Sequence, residues 1–275
     1  MSMRLQVVHR TTHTYDSEIV SSYNEARLVP TTDRSQLTLS SRVTTDPDAP
    51  QFRYWDYWGT QVTAFDLHQA HRSLTVTCSS VVDTADAAAI PAIGWQDLAG
   101  IADSHLELLA ASPRTAADEE LQALAAEPAG TPDQVALRLV ELVHERVEYV
   151  PGSTGVGTSA HEAWALGKGV CQDLAHVTVA LLRARGIPAR YVSGYLHPSI
   201  DPEIGQPVEG ESHAWVEAWL GSWWGYDPTG LVPAGERHVV VARGRDYTDV
   251  SPFKGVYAGG GTQQVQVGVE VTRLA

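Results

Sequence analysis

Alternating apolar and polar positions near the start of the chain predict β-strands. The alternation begins at Leu5 and passes into a β-branched run. Further strand candidates lie at residues 36–43, 61–67 and 73–81, with turns rich in proline and aspartate between them. Many short strands separated by turns are typical of a sandwich-like or barrel-like module. We therefore predict an antiparallel, β-rich, sandwich-like domain over residues 1–90, in which no functional constellation stands out.

The composition then shifts to alanine, aspartate and glutamate, and we interpret residues 91–130 as a helical connector. Thr131 is a candidate N-cap, with proline at the first helical position, for a helix that runs to about Arg146. Residues 131–275 are expected to form a second domain that ends in a C-terminal strand.

Within this second domain, one helix is predicted to begin at Cys171, because apolar residues at helical spacing follow it. Gly186 and Pro188 end that helix. Strands are expected afterwards at residues 189–196, 213–220 and 223–227. A polar, proline-rich loop at residues 197–211 lies between the first two of these strands, and its length suggests a lid or a substrate wall.

Cys171 is a candidate nucleophile because of its position at a helix N-terminus. Unpaired backbone N–H groups there carry partial positive charge, which favours a thiolate and lowers the thiol pKa. The thiolate is the nucleophilic form of cysteine, and the adjacent N–H groups can stabilise a developing oxyanion. Taken alone, however, this cysteine is equally well interpreted as a small buried hydrophobic residue.

His213 and Asp227 are candidates for a general base and for the carboxylate that orients it. Taken alone, they are more simply interpreted as a structural histidine and a turn residue before a proline. Side chains alternate along a strand, so the hairpin register decides whether the two share a face. A hairpin that pivots on Gly221 puts the aspartate opposite Trp215, on the face of the histidine. A pivot between Gly221 and Ser222 puts it on the wrong face.

Three motifs around these residues resemble the transglutaminase-like superfamily. They are Gly169-Val170-Cys171-Gln172-Asp173-Leu174-Ala175-His176 with its continuation to Tyr195, Ser212-His213-Ala214-Trp215-Val216-Glu217, and Asp227-Pro228-Thr229. The motifs occur in the family order of Cys, His and Asp, and the resemblance covers roughly residues 130–230. Residues 4–82 also resemble the bacterial transglutaminase-like N-terminal region.

This resemblance implies an α+β fold in which a papain-like cysteine-proteinase/transglutaminase core follows the β-rich domain. It implies that Cys171 is the nucleophile, His213 the general base and acid, and Asp227 the orienting carboxylate. It further implies acyl transfer at amide bonds of a peptide or protein through a thioester, with no metal or organic cofactor.

Three aromatic residues are candidates for substrate binding. Relatives carry a second oxyanion donor upstream of the cysteine, and Tyr149 and Trp164 are the candidates here. Trp215 is a candidate for lining an acyl groove, since pockets favour aromatic residues. Simple packing is the alternative interpretation for all three.

Cys171, His176 and His213 are residue types that can bind zinc. The sequence has no Cys-x-x-Cys pair and no His-Glu-x-x-His helix, so we expect no metal.

The net charge of −14 argues against nucleic-acid partners and against docking on an anionic membrane. Two cysteines could form one disulfide but not a disulfide framework. The N-terminal residues lack the apolar segment of a signal peptide, and the chain has no run of 18 apolar residues. We expect a cytoplasmic protein, of an oligomeric state that the sequence does not reveal.

The triad alone does not separate hydrolysis from transfer to an amine, because water and amines attack the same thioester. We favour protease-like or amidase-like hydrolysis over glutamine crosslinking or deamidation, since water needs no dedicated site. The main alternative is a non-catalytic binding module that retains the fold. A third, weaker interpretation is a β-rich interaction protein in which the N-terminal module carries the function.

Overall fold

The computed structural model describes residues 2–275 and, at Glu211, the backbone alone. The strands are β1 Met3–Ala26, β2 Gln36–Asp46, β3 Gln51–Trp55, β4 Gln61–Leu67, β5 His71–Thr84, β6 Glu148–Tyr149, β7 Lys168–Gly169, β8 Ala189–Leu196, β9 Pro207–Trp219, β10 Trp223–Asp227, β11 Val232–Pro233, β12 His238–Gly244, β13 Phe253–Gly259 and β14 Gln263–Arg273. The helices are α1 Trp95–Gly100, α2 Leu106–Leu109, α3 Glu119–Ala126, α4 Pro132–Arg146, α5 Ala160–Leu166, α6 Cys171–Ala184 and α7 Tyr247–Val250, with a 3-10 turn at Ala102–His105. The predicted α+β class, with an antiparallel β-rich N-terminal region before a core of helices and strands, is confirmed.

Strand β1 organises the N-terminal sheet because its two halves have different neighbours. Its first half lies between β5 and β14, and its second half contacts both β4 and β13. Buried and exposed residues alternate along it, as expected for a strand with one face against a core. Its partners β13 and β14 come from the opposite end of the chain, so the two termini of the protein share one sheet.

Strand β9 joins this sheet to the core. Its first residues pair with β14, and its later residues pair with β8 on one side and β10 on the other. The prediction of a loop over residues 197–211 is therefore wrong for its last part. Residues 207–210 have their backbone groups bonded to β14, a partner that lies too far along the chain to leave a local signal.

Helix α6 lies at the centre of the core, in contact with α3, α4, α5 and β9. Its residues from Gln172 to Arg183 are all buried, which is typical of a helix that neighbours surround on every side. The predicted start at Cys171 is confirmed. The helix predicted after Thr131 is confirmed as α4, with a capping box in which the Gln134 side chain accepts from the Thr131 N–H.

One continuous apolar cluster connects the N-terminal sheet to the helices. It includes Leu5 and Val7 of β1, Val271 of β14, and Leu174 and Leu181 of α6. A second cluster lies within the N-terminal sheet. Within residues 2–275, no helix combines the length and the apolar character that crossing a membrane requires.

Gly194 of β8 pairs with His213 of β9, at a point where the chain is packed too closely for a side chain. A Cβ there would collide with the Val239 carbonyl oxygen and with the Trp215 ring. We expect Gly194→Ala to lower the free energy of unfolding by about 1–3 kcal/mol, the usual cost of overpacking, in a urea titration. Gly268→Ala in β14 is the matched control, because no heavy atom lies within 4 Å of its added Cβ. Equal unfolding midpoints for the two variants would contradict this explanation.

Candidate active site

Cys171 is the first residue of α6, and it is half-buried. The helix start is held by Asp173, whose Oδ2 accepts hydrogen bonds from the Val170 N–H at 2.8 Å and from the Thr154 hydroxyl at 2.5 Å. Burial raises the pKa of Asp173, although these two bonds favour its charged form. Asp173 therefore caps the start of α6, since its carboxylate accepts from the helix backbone.

The hairpin between β9 and β10 has the register that pivots on Gly221. Trp219 pairs with Trp223 and Val216 pairs with Tyr226, while Gly221 adopts a positive φ of 95° in the turn. Continuing this register puts Asp227 opposite Trp215, the first of the two alternatives considered from the sequence. The aspartate and His213 consequently share one face of the sheet.

His213 and Asp227 form a buried hydrogen bond. The distance from His213 Nε2 to Asp227 Oδ2 is 2.8 Å, and the two residues are 4% and 1% exposed. The other carboxylate oxygen, Oδ1, accepts from the Thr229 N–H at 2.9 Å. The carboxylate is therefore fixed on two sides, and it orients the imidazole through Nε2.

The other ring nitrogen, His213 Nδ1, does not bond to Asp227 and is therefore the atom that can exchange a proton with Cys171. This buried nitrogen has no hydrogen-bond partner among the described residues, and Cys171 is the one group besides Asp227 that raises the pKa of the ring. Burial alone would lower the pKa of His213, but the hydrogen bonds and charges of Asp227 and Cys171 raise it to about 10. Burial also opposes the charged form of Asp227, yet His213 and His238 hold the pKa of that carboxyl well below its usual range.

His238 of β12 is a member of this group that the sequence analysis missed. Its Nε2 lies 3.4 Å from Asp227 Oδ2, and its Nδ1 accepts from the Gly235 N–H at 3.2 Å. Because Nδ1 is an acceptor, the ring proton is on Nε2 and points to the carboxylate. Burial lowers the pKa of His238, which keeps the ring neutral. Its strand was not predicted, so no local signal identified it.

His213, Asp227 and His238 could also hold a metal ion, since their ligand atoms lie within 4.8 Å of one another. Two imidazoles and a carboxylate are a ligand set that zinc accepts. This set differs from the one considered from the sequence. His176 lies elsewhere, with Nε2 accepting from the Tyr247 N–H at 3.2 Å, and burial lowers its pKa to about 3.

A cavity of about 670 Å³ contains Cys171 and His213. Its opposite wall comes from β1, β13 and β14, with His9, Thr11 and His13 of β1 among the lining residues. The cavity therefore includes residues of the N-terminal region, in which no functional constellation stands out from the sequence. His9, Thr11 and His13 are buried although polar, and the sequence alone does not show this because the residues between them are polar as well.

The three aromatic residues predicted to bind substrate do not line this cavity. Trp164 is buried in the core and donates its ring N–H to Glu120 at 2.7 Å. Trp215 is fully buried beside Val192, and its ring packs against the imidazoles of His213 and His238.

Tyr149 belongs to the short pair of strands β6 and β7, where it lies opposite Gly169, and it is 44% exposed. Packing therefore explains the positions of Trp164 and Trp215. The loop before β9, predicted to form a lid or a substrate wall, contributes no lining residue to this cavity. Strands β1, β13 and β14 form the wall that faces Cys171.

The two cysteines are not joined to each other. Cys78 is buried in the N-terminal sheet, with its sulfur near the hydroxyls of Ser41 and Ser80. Burial raises the pKa of the Cys78 thiol. It is therefore an unreactive reference for Cys171.

We expect Asp227→Asn to lower the pKa of His213 from about 10, because the amide cannot balance the charge of a buried imidazolium. The titration of the histidine ring by NMR measures this shift. Asp66→Asn, which changes an exposed carboxylate of β4, is the control. A His213 titration that is equal in both variants would contradict the assignment.

The same pairing predicts a pH dependence of stability. The pKa of His213 rises on folding from 6.5 to about 10, so its contribution is complete below the lower value and is lost as the pH rises through the higher one. The free energy of unfolding should therefore fall between these pH values, and it should fall less in Asp227→Asn.

Comparisons with known proteins agree with this geometry. The transglutaminase-like superfamily matches residues 120–228, and the bacterial transglutaminase-like N-terminal region matches residues 5–83. An uncharacterised Mycobacterium leprae protein is 45% identical over 99% of this chain and 99% of its own length. A protein-glutamine gamma-glutamyltransferase of Pseudomonas aeruginosa is 34% identical over 42% of this chain and 18% of its own length.

The crystal structure of a provisionally assigned cysteine protease from Cytophaga hutchinsonii has the same fold. It superposes with a TM-score of 0.80 at 25% identity, covering 100% of this chain and 92% of that one. Such a fold suggests cysteine-based acyl transfer. The matched sequence regions, the full-length relative and the shared fold together show that the chain belongs to the transglutaminase-like superfamily.

Proposed function

We propose that this protein is a cysteine-dependent enzyme that transfers acyl groups from amide bonds of a peptide or protein through a thioester on Cys171. The observation that carries the proposal is the orientation of His213. Its Nε2 is bonded to a buried carboxylate, which leaves Nδ1 without a partner, and Cys171 interacts with the same ring. This is the arrangement of nucleophile, base and orienting acid that covalent acyl transfer needs.

In the first half of the proposed reaction, the Cys171 sulfur attacks the substrate carbonyl carbon while His213 holds the proton of the thiol. A carbon–sulfur bond forms, and the N–H groups at the start of α6 stabilise the oxyanion. The carbon–nitrogen bond then breaks as His213 gives its proton to the leaving nitrogen. The pKa near 10 means that His213 carries this proton at neutral pH.

In the second half, His213 takes a proton from water, whose oxygen attacks the thioester carbon. The carbon–sulfur bond breaks, a carboxylic acid leaves and the thiol is restored. An amine in place of water would give a new amide by the same steps. We favour hydrolysis, because water reaches an open cavity without a dedicated binding site.

Two of the similar proteins support different outcomes. The Cytophaga protein is assigned as a protease, whereas the Pseudomonas protein is a glutamyltransferase that shares less than half of this chain. The full-length similarity to the first favours hydrolysis. A binding module that retains the fold remains the alternative, and it requires no reactivity at Cys171.

Thiol alkylation separates an enzyme from a binding module. We expect iodoacetamide to modify Cys171 at neutral pH and to leave Cys78 unmodified, as read by peptide mass spectrometry. His213→Ala should slow the alkylation of Cys171 at least about tenfold, because the buried imidazolium no longer faces the sulfur. Cys78→Ala is the control and should react like the wild type. Equal rates for the wild type and His213→Ala would favour the binding module.

The acyl acceptor can be read from the products. We expect a glutamine-containing peptide library in ¹⁸O-labelled water to yield labelled carboxylates, even with a primary amine such as glycine ethyl ester present. Cys171→Ala should give no product. A majority of amine adducts would contradict hydrolysis while preserving the thioester mechanism.

A further inference from the structure

The wall of the cavity opposite Cys171 is uncharged. In the part of the chain that the structure describes, no Asp, Glu, Lys or Arg lines the cavity. This contrasts with the net charge of −14 of the whole chain. A charged substrate group would lose its hydration against this wall without gaining a counter-charge from it, so the wall disfavours such a group.

Aromatic and branched aliphatic side chains form most of this wall. The rings of Tyr15 and Tyr257 lie 5.2 Å apart, and those of His13 and Phe253 lie 4.3 Å apart. Val265 of β14 lies opposite His13 in the β1–β14 ladder and remains 52% exposed. This surface suits an apolar or aromatic group of a substrate.

Two buried imidazoles in the wall have nitrogens without partners. His9 is 1% exposed and His13 is 3% exposed, and His9 Nδ1 and His13 Nε2 lack hydrogen bonds among the described residues. Burial lowers the pKa of both rings, that of His9 to about 4, so both are neutral at neutral pH. Buried polar atoms without partners are rare in folded proteins and point to a group that binds there.

The proton on His13 can be assigned from its second contact. The Gln263 amide nitrogen donates to His13 Nδ1, so the ring proton is on Nε2. His13 Nε2 is therefore an unused donor, and it lies behind the cavity surface, shielded from solvent. An uncharged oxygen acceptor, such as a substrate carbonyl, would satisfy it once a shift of the neighbouring side chains opens a path to it.

We propose that the face of β1 and β14 is a specificity pocket for an uncharged, aromatic or branched aliphatic substrate side chain, and that His13 hydrogen-bonds a backbone carbonyl of the same substrate. The proposal rests on the proposed function only in assuming that the substrate reacts at Cys171. It gives the N-terminal domain a direct part in choosing the substrate.

Binding to the full-length Cys171→Ala protein tests the pocket without turnover. The probes are N-acetyl-phenylalaninamide, N-acetyl-lysinamide and the α-amide of N-acetyl-glutamate, with dissociation constants from NMR titration. We expect the phenylalanine amide to bind at least about tenfold more tightly than either charged amide. Equal dissociation constants, or no binding of the phenylalanine amide at millimolar concentration, would overturn the proposal.

Two further variants in the same background assign the contacts. Val265→Asp should weaken binding of the phenylalanine amide at least about tenfold, and His13→Phe should weaken it severalfold by removing the donor. His68→Phe makes the same replacement at an exposed position outside the cavity and should leave binding unchanged. Thermal unfolding checks that each variant is folded. Unchanged binding in both Val265→Asp and His13→Phe would place the probe elsewhere and refute the pocket.

The failure of this proposal differs from that of the proposed function. Selective binding without any thioester in the wild type would contradict the proposed enzymatic function and support the specificity pocket. Thioester formation with equal binding of all three amides would support the enzymatic function and contradict the pocket.

Discussion

The buried hydrogen bond between Asp227 and His213 is the constraint on which the site depends. A carboxylate this deeply buried must be paired, since an isolated buried charge is very costly. Its oxygens accept from His213, His238 and the Thr229 N–H, which come from separate segments of the core. Asp227 reaches these donors in the observed β9–β10 register, in which Trp219 pairs with Trp223. Gly221 forms the turn of this hairpin with a positive φ. The same interactions that pair the carboxylate also orient the imidazole toward Cys171.

The cavity around this pair belongs to the whole chain rather than to the core. Strand β9 carries His213 and also pairs with β14, which in turn pairs with β1. The wall that faces the thiol is thus fixed by the same ladders that join the two sheets. Changes in the N-terminal sheet should therefore reach the substrate side of the site even when the triad itself is untouched. The β-rich region and the core also occur together over the full length of the Mycobacterium leprae relative.

Local signals in the sequence predicted the elements that carry the triad. The helix start at Cys171 and the helix after Thr131 follow from short-range patterns. The register of the β9–β10 hairpin stayed open between two alternatives until the structure showed the pivot at Gly221. What could not be predicted depends on distant pairing. The β1–β14 ladder joins the two ends of the chain, so the role of His13 in the cavity had no local signal beyond its alternation. His238 reaches Asp227 only because β12 pairs with β8.

The central claim is that one imidazole lies between the Cys171 sulfur and the Asp227 carboxylate, and that both raise its pKa. The most direct test is the NMR titration of His213 before and after Cys171 is alkylated with iodoacetamide. The account predicts that alkylation lowers the pKa of His213 from about 10, because one of the two groups that stabilise the imidazolium is lost. An unchanged titration of His213 after complete alkylation would contradict it.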